Sequence, residues 1–271
     1  MLNHLQEKLL NGLKKANQLQ LRVFDNSKLN LINCIFEDNN ISGFNDSHHA
    51  CVYLCGANSI IDNCTFENNT AIGYVNDKYS RGGAIENWGT LTVKNAAFKS
   101  NKSLGEYNSG DDAYYGGLGG AIYNQGTATV TSCTFNQNYA SEDGGAICSV
   151  GKLAVNECTF TQNIADDDGG AIKNDYDKLD ITKSTFKKNE AGYGGAIEVK
   201  RDPEARLFLP ISLTDCTITE NKASVCGGGV CLWNGGLELT IAGDTIINGN
   251  ECLNEDGVYV KNNVELTGDV S

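Results

Sequence analysis

The sequence predicts an all-β chain coiled as a right-handed, single-stranded parallel β-helix with three short strands per rung and about eight rungs. Three observations predict it. An aromatic phrase recurs along the chain, a glycine phrase alternates with it, and apolar residues alternate within each unit at the two-residue period of a strand.

The aromatic phrase reads Cys34-Ile35-Phe36-Glu37-Asp38-Asn39, Cys64-Thr65-Phe66-Glu67-Asn68-Asn69 and Cys133-Thr134-Phe135-Asn136-Gln137-Asn138. It returns around Phe98, Phe160, Phe186, Ile218 and, faded, Ile246, at intervals of 25 to 37 residues. The glycine phrase is Gly-Gly-Ala-Ile, beginning at Gly82, Gly119, Gly144, Gly169 and Gly194, with Gly227-Gly228-Gly229-Val230 as its last copy. From its Ile to the next phrase Phe is 13 or 14 residues in four units; apart from one insertion at Lys200 to Pro210, which holds both prolines, the larger length changes fall elsewhere. They fall between the phrase Asn and the next glycine pair, 5 or 6 residues in compact units but 13 before Gly82 and 18 before Gly119.

Three strands are expected in each unit: one after the glycines, one reading Leu-x-Val as in Leu91 and Val93, and one holding the Phe. Alternation puts Leu91, Val93, Cys64 and Phe66 inside and Thr65 and Thr92 outside. So short a unit buries its apolar face only by stacking on its neighbours, about 4.8 Å away. Stacking then predicts a Phe column, an Asn column whose amides bond one another from rung to rung at an αL-tolerant corner, and a glycine corner with no room for a side chain. Residues 1–20 read differently. Leu2, Leu5, Leu9, Leu13 and Ala16 are spaced for an amphipathic helix that caps the open end of a β-helix over 21–271.

Composition agrees and narrows the function. Gly and Asn supply 63 of 271 residues, Pro only 2, and the net charge is -13. Such acidity disfavours nucleic acid and anionic membranes as partners, and no apolar run is long enough to span a bilayer. Cys34, Cys64, Cys133, Cys158 and Cys216 occupy the inward position two before the Phe. They read as a buried thiol ladder, with Cys34–Cys64 and Cys133–Cys158 within disulfide reach. Cys51 with Cys55, and Cys226 with Cys231, lack a second ligand pair for zinc.

The repeated F-x-x-N and GGAI phrases over about residues 30 to 250 resemble those of the chlamydial-type polymorphic outer-membrane proteins and related adhesin-like repeat proteins. The resemblance implies a non-enzymatic, surface-exposed stalk or passenger that attaches to a protein or glycan of a host or neighbouring cell, with no catalytic motif to carry over. Its location would be extracellular or at the cell surface. The first residues lack the basic and apolar regions of a signal peptide, so a segment of such a protein or a standalone relative is expected.

Two surface features are candidate sites. Asp143 and Asp168 precede glycine pairs one 25-residue repeat apart, so with Asp167 they should stack into an acidic corner able to share a Ca²⁺ ion. Asp111 and Asp112 lie one rung earlier. On the same side, Tyr107, Tyr114, Tyr115 and Tyr193, with Tyr74 and Tyr79, are candidate ligand-binding residues, since exposed Tyr on a rigid scaffold suits sugars or protein partners. The alternative reading is a carbohydrate-active enzyme, a polysaccharide lyase or glycoside hydrolase. Its candidate charged groups are Lys173, Glu198 and Glu86 at the outward position after GGAI, which otherwise read as a solvent face.

Overall fold

The computed structural model describes residues 7–11, 19–24, 27–42, 49–56, 58–73, 79–108, 113–175, 177–200, 210–233, 239–253, 259–261 and 264–266. Every regular element among them is a strand, so no helix there is long and apolar enough to cross a membrane. The strands form a parallel β-helix of about eight rungs.

One rung runs through Ile147–Ser149, Lys152–Asn156, Thr159–Thr161 and Ile164–Ala165. Each of these pairs in parallel with its counterpart one unit on: Ile147 with Ile172, Val155 with Ile181, Phe160 with Phe186 and Ile164 with Glu190. The rung thus has four strands, not the expected three, and four sheets of 9, 9, 8 and 9 strands run the length of the rod. The additional strand follows the phrase Asn. It is only two residues long at Tyr139–Ala140 and Ile164–Ala165, too short for alternation to register in the sequence. One small residue per rung is buried on it: Ala71, Ala140, Ala165, Ala191 and Ala223.

The N-terminal helix expected over 1–20 is corrected where that stretch is described. Glu7–Asn11 is a strand, paired in parallel with Lys28–Ile32 as the first member of the Leu-x-Val sheet. Lys28–Ile32 would otherwise expose a row of unpaired N–H and C=O groups. Satisfying that edge wins over a short helix whose own hydrogen bonds need costly nucleation. The segment still covers the end of the sheet, and Leu19 N–H caps the Asn column by donating to Asn39 Oδ1 at 2.7 Å.

The two predicted columns are present. Phe36, Phe66, Phe98, Phe135, Phe160 and Phe186 stack with ring centroids 4.6–5.0 Å apart and planes within 6° of parallel. The Asn side chains at 39, 69, 101, 138, 163, 189, 221 and 250 are wholly buried and bond from Nδ2 to the next Oδ1 at 2.7–3.0 Å. Asn163 shows the full set. Its Nδ2 donates to Asn189 Oδ1 and to Phe135 O, while its Oδ1 accepts from both Nδ2 and N–H of Asn138. All four hydrogen-bonding positions of the amide are used, which is what makes burial tolerable.

Two details differ from the sequence reading. The αL residue is the one before the phrase Asn: Asp38, Asn68, Ser100, Gln137, Gln162, Lys188 and Glu220 have φ of 53–58°, while the phrase Asn is free to ladder. The aromatic position of the last phrase is Ile247, not Ile246, since Ile218 pairs with Ile247. A slip of one residue exchanges the faces of a strand, so Ile247 packs on the core and Ile246 is 52% exposed. The inward cysteines form the expected thiol ladder. Cys34, Cys64, Cys133, Cys158 and Cys216 carry no disulfide, and each donates to the carbonyl two residues back at 3.1–3.3 Å.

Asn163→Ala is expected to lower unfolding free energy by at least about 3 kcal/mol, because several buried groups on the two neighbouring rungs each lose a partner at about 1–3 kcal/mol. Gln162→Gly, one residue away, is expected to be neutral or to stabilise by up to about 1 kcal/mol, relief of the αL geometry outweighing the entropy of an added glycine. Urea denaturation of the two variants beside the parent protein checks both.

Candidate functional site

The glycine corner repeats one turn. Gly144 has φ +66°, and a Cβ there would lie 2.4 Å from Ile147 O; a Cβ on Gly145 would meet Gly170 O of the next rung at 2.2 Å. With no side chains in the way, the turn folds back tightly, and the backbone before the glycines bonds its neighbour one rung on, as in Gly144 N–H to Asp168 O and Gly169 N–H to Tyr193 O. The residue before the glycines then faces the residue five positions later.

That fold-back corrects the reading of the position after GGAI. Glu86, Lys173 and Glu198 are not a solvent face: they are 0%, 1% and 0% exposed. They point away from the Phe core into a second, narrow compartment beneath the segment that leads into the glycines. In register along it come Tyr53, Glu86, Tyr123, Cys148, Lys173, Glu198 and Cys231. A polysaccharide cannot reach the Lys173 and Glu198 pair there, so these residues do not serve the enzymatic alternative.

Lys173 organises the chemistry. Its ammonium ion-pairs with Asp168, lies 2.5 Å from Glu198 Oε2 and 3.7 Å from Asp175 Oδ1. Burial alone would push the ammonium down, but Glu198, Asp175, Asp143 and Asp168 together hold it above its ordinary range. The carboxylates outnumber it. Glu198 Oε1, Asp143 Oδ1 and Asp175 Oδ1 are buried without a hydrogen-bond partner. Desolvation, with repulsion from neighbouring acids, raises the carboxyl of Asp143 to about 8, lifts Glu198 well above its usual range and raises Asp175, Asp167 and Glu142. The cluster keeps protons that free carboxylates would lose.

The acidic corner forms the outer wall of this compartment. Ligand oxygens of Asp143, Asp167 and Asp168 lie within 4.8 Å of one another, with Asp168 buried and Asp167 exposed. The predicted stacking is therefore present, and the three oxygens are near enough to share a cation. Lys173, which the sequence reading left outside the corner, already places an ammonium on Asp168. Asp111 and Asp112 lie outside the described residues.

The tyrosines do not converge as one group. Tyr193 is half-buried and bridges to Asp168 through the backbone, beside the acidic corner. Tyr107 and Tyr114 pair across an antiparallel hairpin of Glu106–Asn108 and Ala113–Tyr115, which carries Tyr115 at its end; the side chains of all three, and Tyr74, lie outside the described residues. Tyr79 is 41% exposed, with Arg81 5.8 Å from its ring. The base of the hairpin is fixed by Ser141, whose Oγ accepts from Gly105 N–H and Gly117 N–H at 3.1 Å. Nothing in the sequence singles out Ser141, because its partners come from the rung before it.

Across roughly pH 4 to 8, folded Asp143 holds a proton that the unfolded chain releases near 3.8, so the folded state binds more protons and stability falls as pH rises. The melting temperature is expected to decline through that window, and the decline to flatten in Asp143→Asn. Lys173→Met is expected to cost about 3–5 kcal/mol near pH 8 by leaving buried carboxylates uncompensated, and clearly less near pH 5, where Asp143 keeps its proton. Thermal melts of parent and variants at both pH values measure this.

No curated protein and no solved structure matches the chain. One family does. The Chlamydia polymorphic membrane protein repeat matches residues 63–87, 132–150 and 157–175, each stretch holding both a Cys-Thr-Phe phrase on the Phe strand and a Gly-Gly-Ala-Ile phrase at the glycine corner. At these three stretches the chain is similar to the Chlamydia polymorphic membrane protein repeat.

Proposed function

We propose that the chain is a non-enzymatic, adhesin-like surface domain: a rigid β-helix that holds binding loops for attachment to a protein or glycan on a host or neighbouring cell. The observation that carries this reading is the placement of the insertions. The rod is made of self-satisfying ladders, and the long excursions before Gly82 and Gly119 leave it on one edge, at the glycine corner. The hairpin that includes Tyr107, Tyr114 and Tyr115 is set on a clamped base there, and the family whose repeat the chain resembles is one of membrane proteins. Tyr193 lies three rungs along the same edge. A Ca²⁺ ion shared by Asp143 and Asp167 would stiffen that edge, and its sign would be a melting temperature that drops on adding chelator.

The test compares the parent chain with one in which residues 106–115 are replaced by a short Gly-Ser linker. Both are expected to melt at similar temperatures, and the shortened chain is expected to lose at least about tenfold in binding to cells or to a glycan and protein array. Equal binding by both would remove the hairpin from the reading. Release of reducing ends from polysaccharides by the parent chain would replace the reading with the enzymatic one.

A further inference from the structure

The turn that joins Asp168 to Lys173 recurs at the last glycine corner, where the two facing residues are cysteines. Cys226 ends the strand Lys222–Cys226, Cys231 stands in the strand Val230–Trp233, and Gly227, Gly228 and Gly229 lie between. The ladder fixes both. Cys226 pairs with Tyr193 and Cys231 with Glu198, so they occupy the same two columns as Asp168 and Lys173 two rungs earlier.

Their sulfurs are 2.6 Å apart. Heavy atoms in ordinary contact rest at roughly 3.5–4 Å, and two thiolates on one tetrahedral zinc stand about 3.7 Å apart, so neither packing nor a shared metal accounts for the separation. A disulfide bond is about 2.05 Å long. The two sulfurs have little room to part. Cys231 is wholly buried and Cys226 6% exposed, and the turn between them is held at Gly227, with φ +63°, where a Cβ would lie 2.4 Å from Val230 O. The ladder thiols are arranged differently. Cys34, Cys64, Cys133 and Cys158 stack one per rung, and the sulfurs of Cys64 and Cys158 accept the N–H of the cysteine below at 3.4 Å.

We propose that Cys226 and Cys231 form a disulfide across the Gly227–Gly229 turn, made by exchange with a small-molecule disulfide of the oxidised-glutathione class. One cysteine thiolate attacks the oxidant, forming a mixed disulfide and releasing one reduced thiol. The second cysteine then attacks the mixed disulfide, closing the protein S–S bond and releasing the other thiol. The two cysteines lose two hydrogens together, and the oxidant gains them. Because Cys231 lies in register over Glu198, the bond braces the rung that covers the Lys173 compartment.

The test incubates the folded chain with oxidised glutathione, then denatures it and alkylates it without reductant. Trypsin yields a peptide spanning residues 223–261, which holds Cys226, Cys231 and Cys252. It is expected to carry one alkyl group and to be two hydrogens lighter than its thiol form, and to keep that deficit with no alkyl group in Cys252→Ser. Three alkyl groups on the parent peptide, or loss of the deficit in Cys252→Ser, would overturn the proposal. The oxidised parent is also expected to melt a few degrees above the reduced one, a difference that vanishes in Cys231→Ser.

Discussion

The whole rod depends on one constraint: each rung must satisfy its polar groups with the same groups of the rung beside it. The backbone does this through parallel ladders in four sheets. The buried Asn column does it with side chains, each interior amide donating and accepting twice, as at Asn163. Such an arrangement favours identity over mere similarity. A Phe may give way to Ile218, because apolar contact is undirected. An Asn in the interior of the column has no such latitude, since its neighbours on two rungs are left with buried orphans when it is lost.

The same logic explains why the glycine corner tolerates varied chemistry. Its backbone is fixed by close approach to the next rung, which leaves the two facing columns free to differ from rung to rung. Arg81 lies 5.9 Å from the Tyr123 ring of the next rung, while within the turn itself Asp168 pairs with Lys173 and Cys226 meets Cys231. The Phe core carries stability, and this narrow compartment carries the titratable groups. Its carboxylates lie so close, and so far from water, that one ammonium cannot keep them all ionised. A chain of net charge -13 thus keeps part of its acidity buried and partly protonated.

Placement of the insertions follows from the columns as well. An extra residue within the Leu-x-Val or Phe strands would shift every side chain after it to the wrong face. The stretch between the phrase Asn and the glycines contributes only one or two inward residues, so it lengthens without disturbing the core. That is where the hairpin from Glu106 to Tyr115 leaves the rod and where Ser141 holds its base.

The sequence by itself determined the coil, the Phe and Asn columns, the thiol ladder and the stacking of Asp143 on Asp168, because each is a fixed residue type at a fixed period. It also marked the glycine corner. Only the tertiary structure decided that Glu7–Asn11 is a strand, since the unpaired edge of Lys28–Ile32 lies nowhere near it in local pattern. Only the structure showed the two-residue fourth strand, the register that moves Ile246 outward, and the burial of Glu86, Lys173 and Glu198. Alternation along a strand tells which residues leave the main core. It does not tell whether a neighbouring segment folds back to cover them, and that depends on contacts between residues brought together by the turn and the rungs on either side.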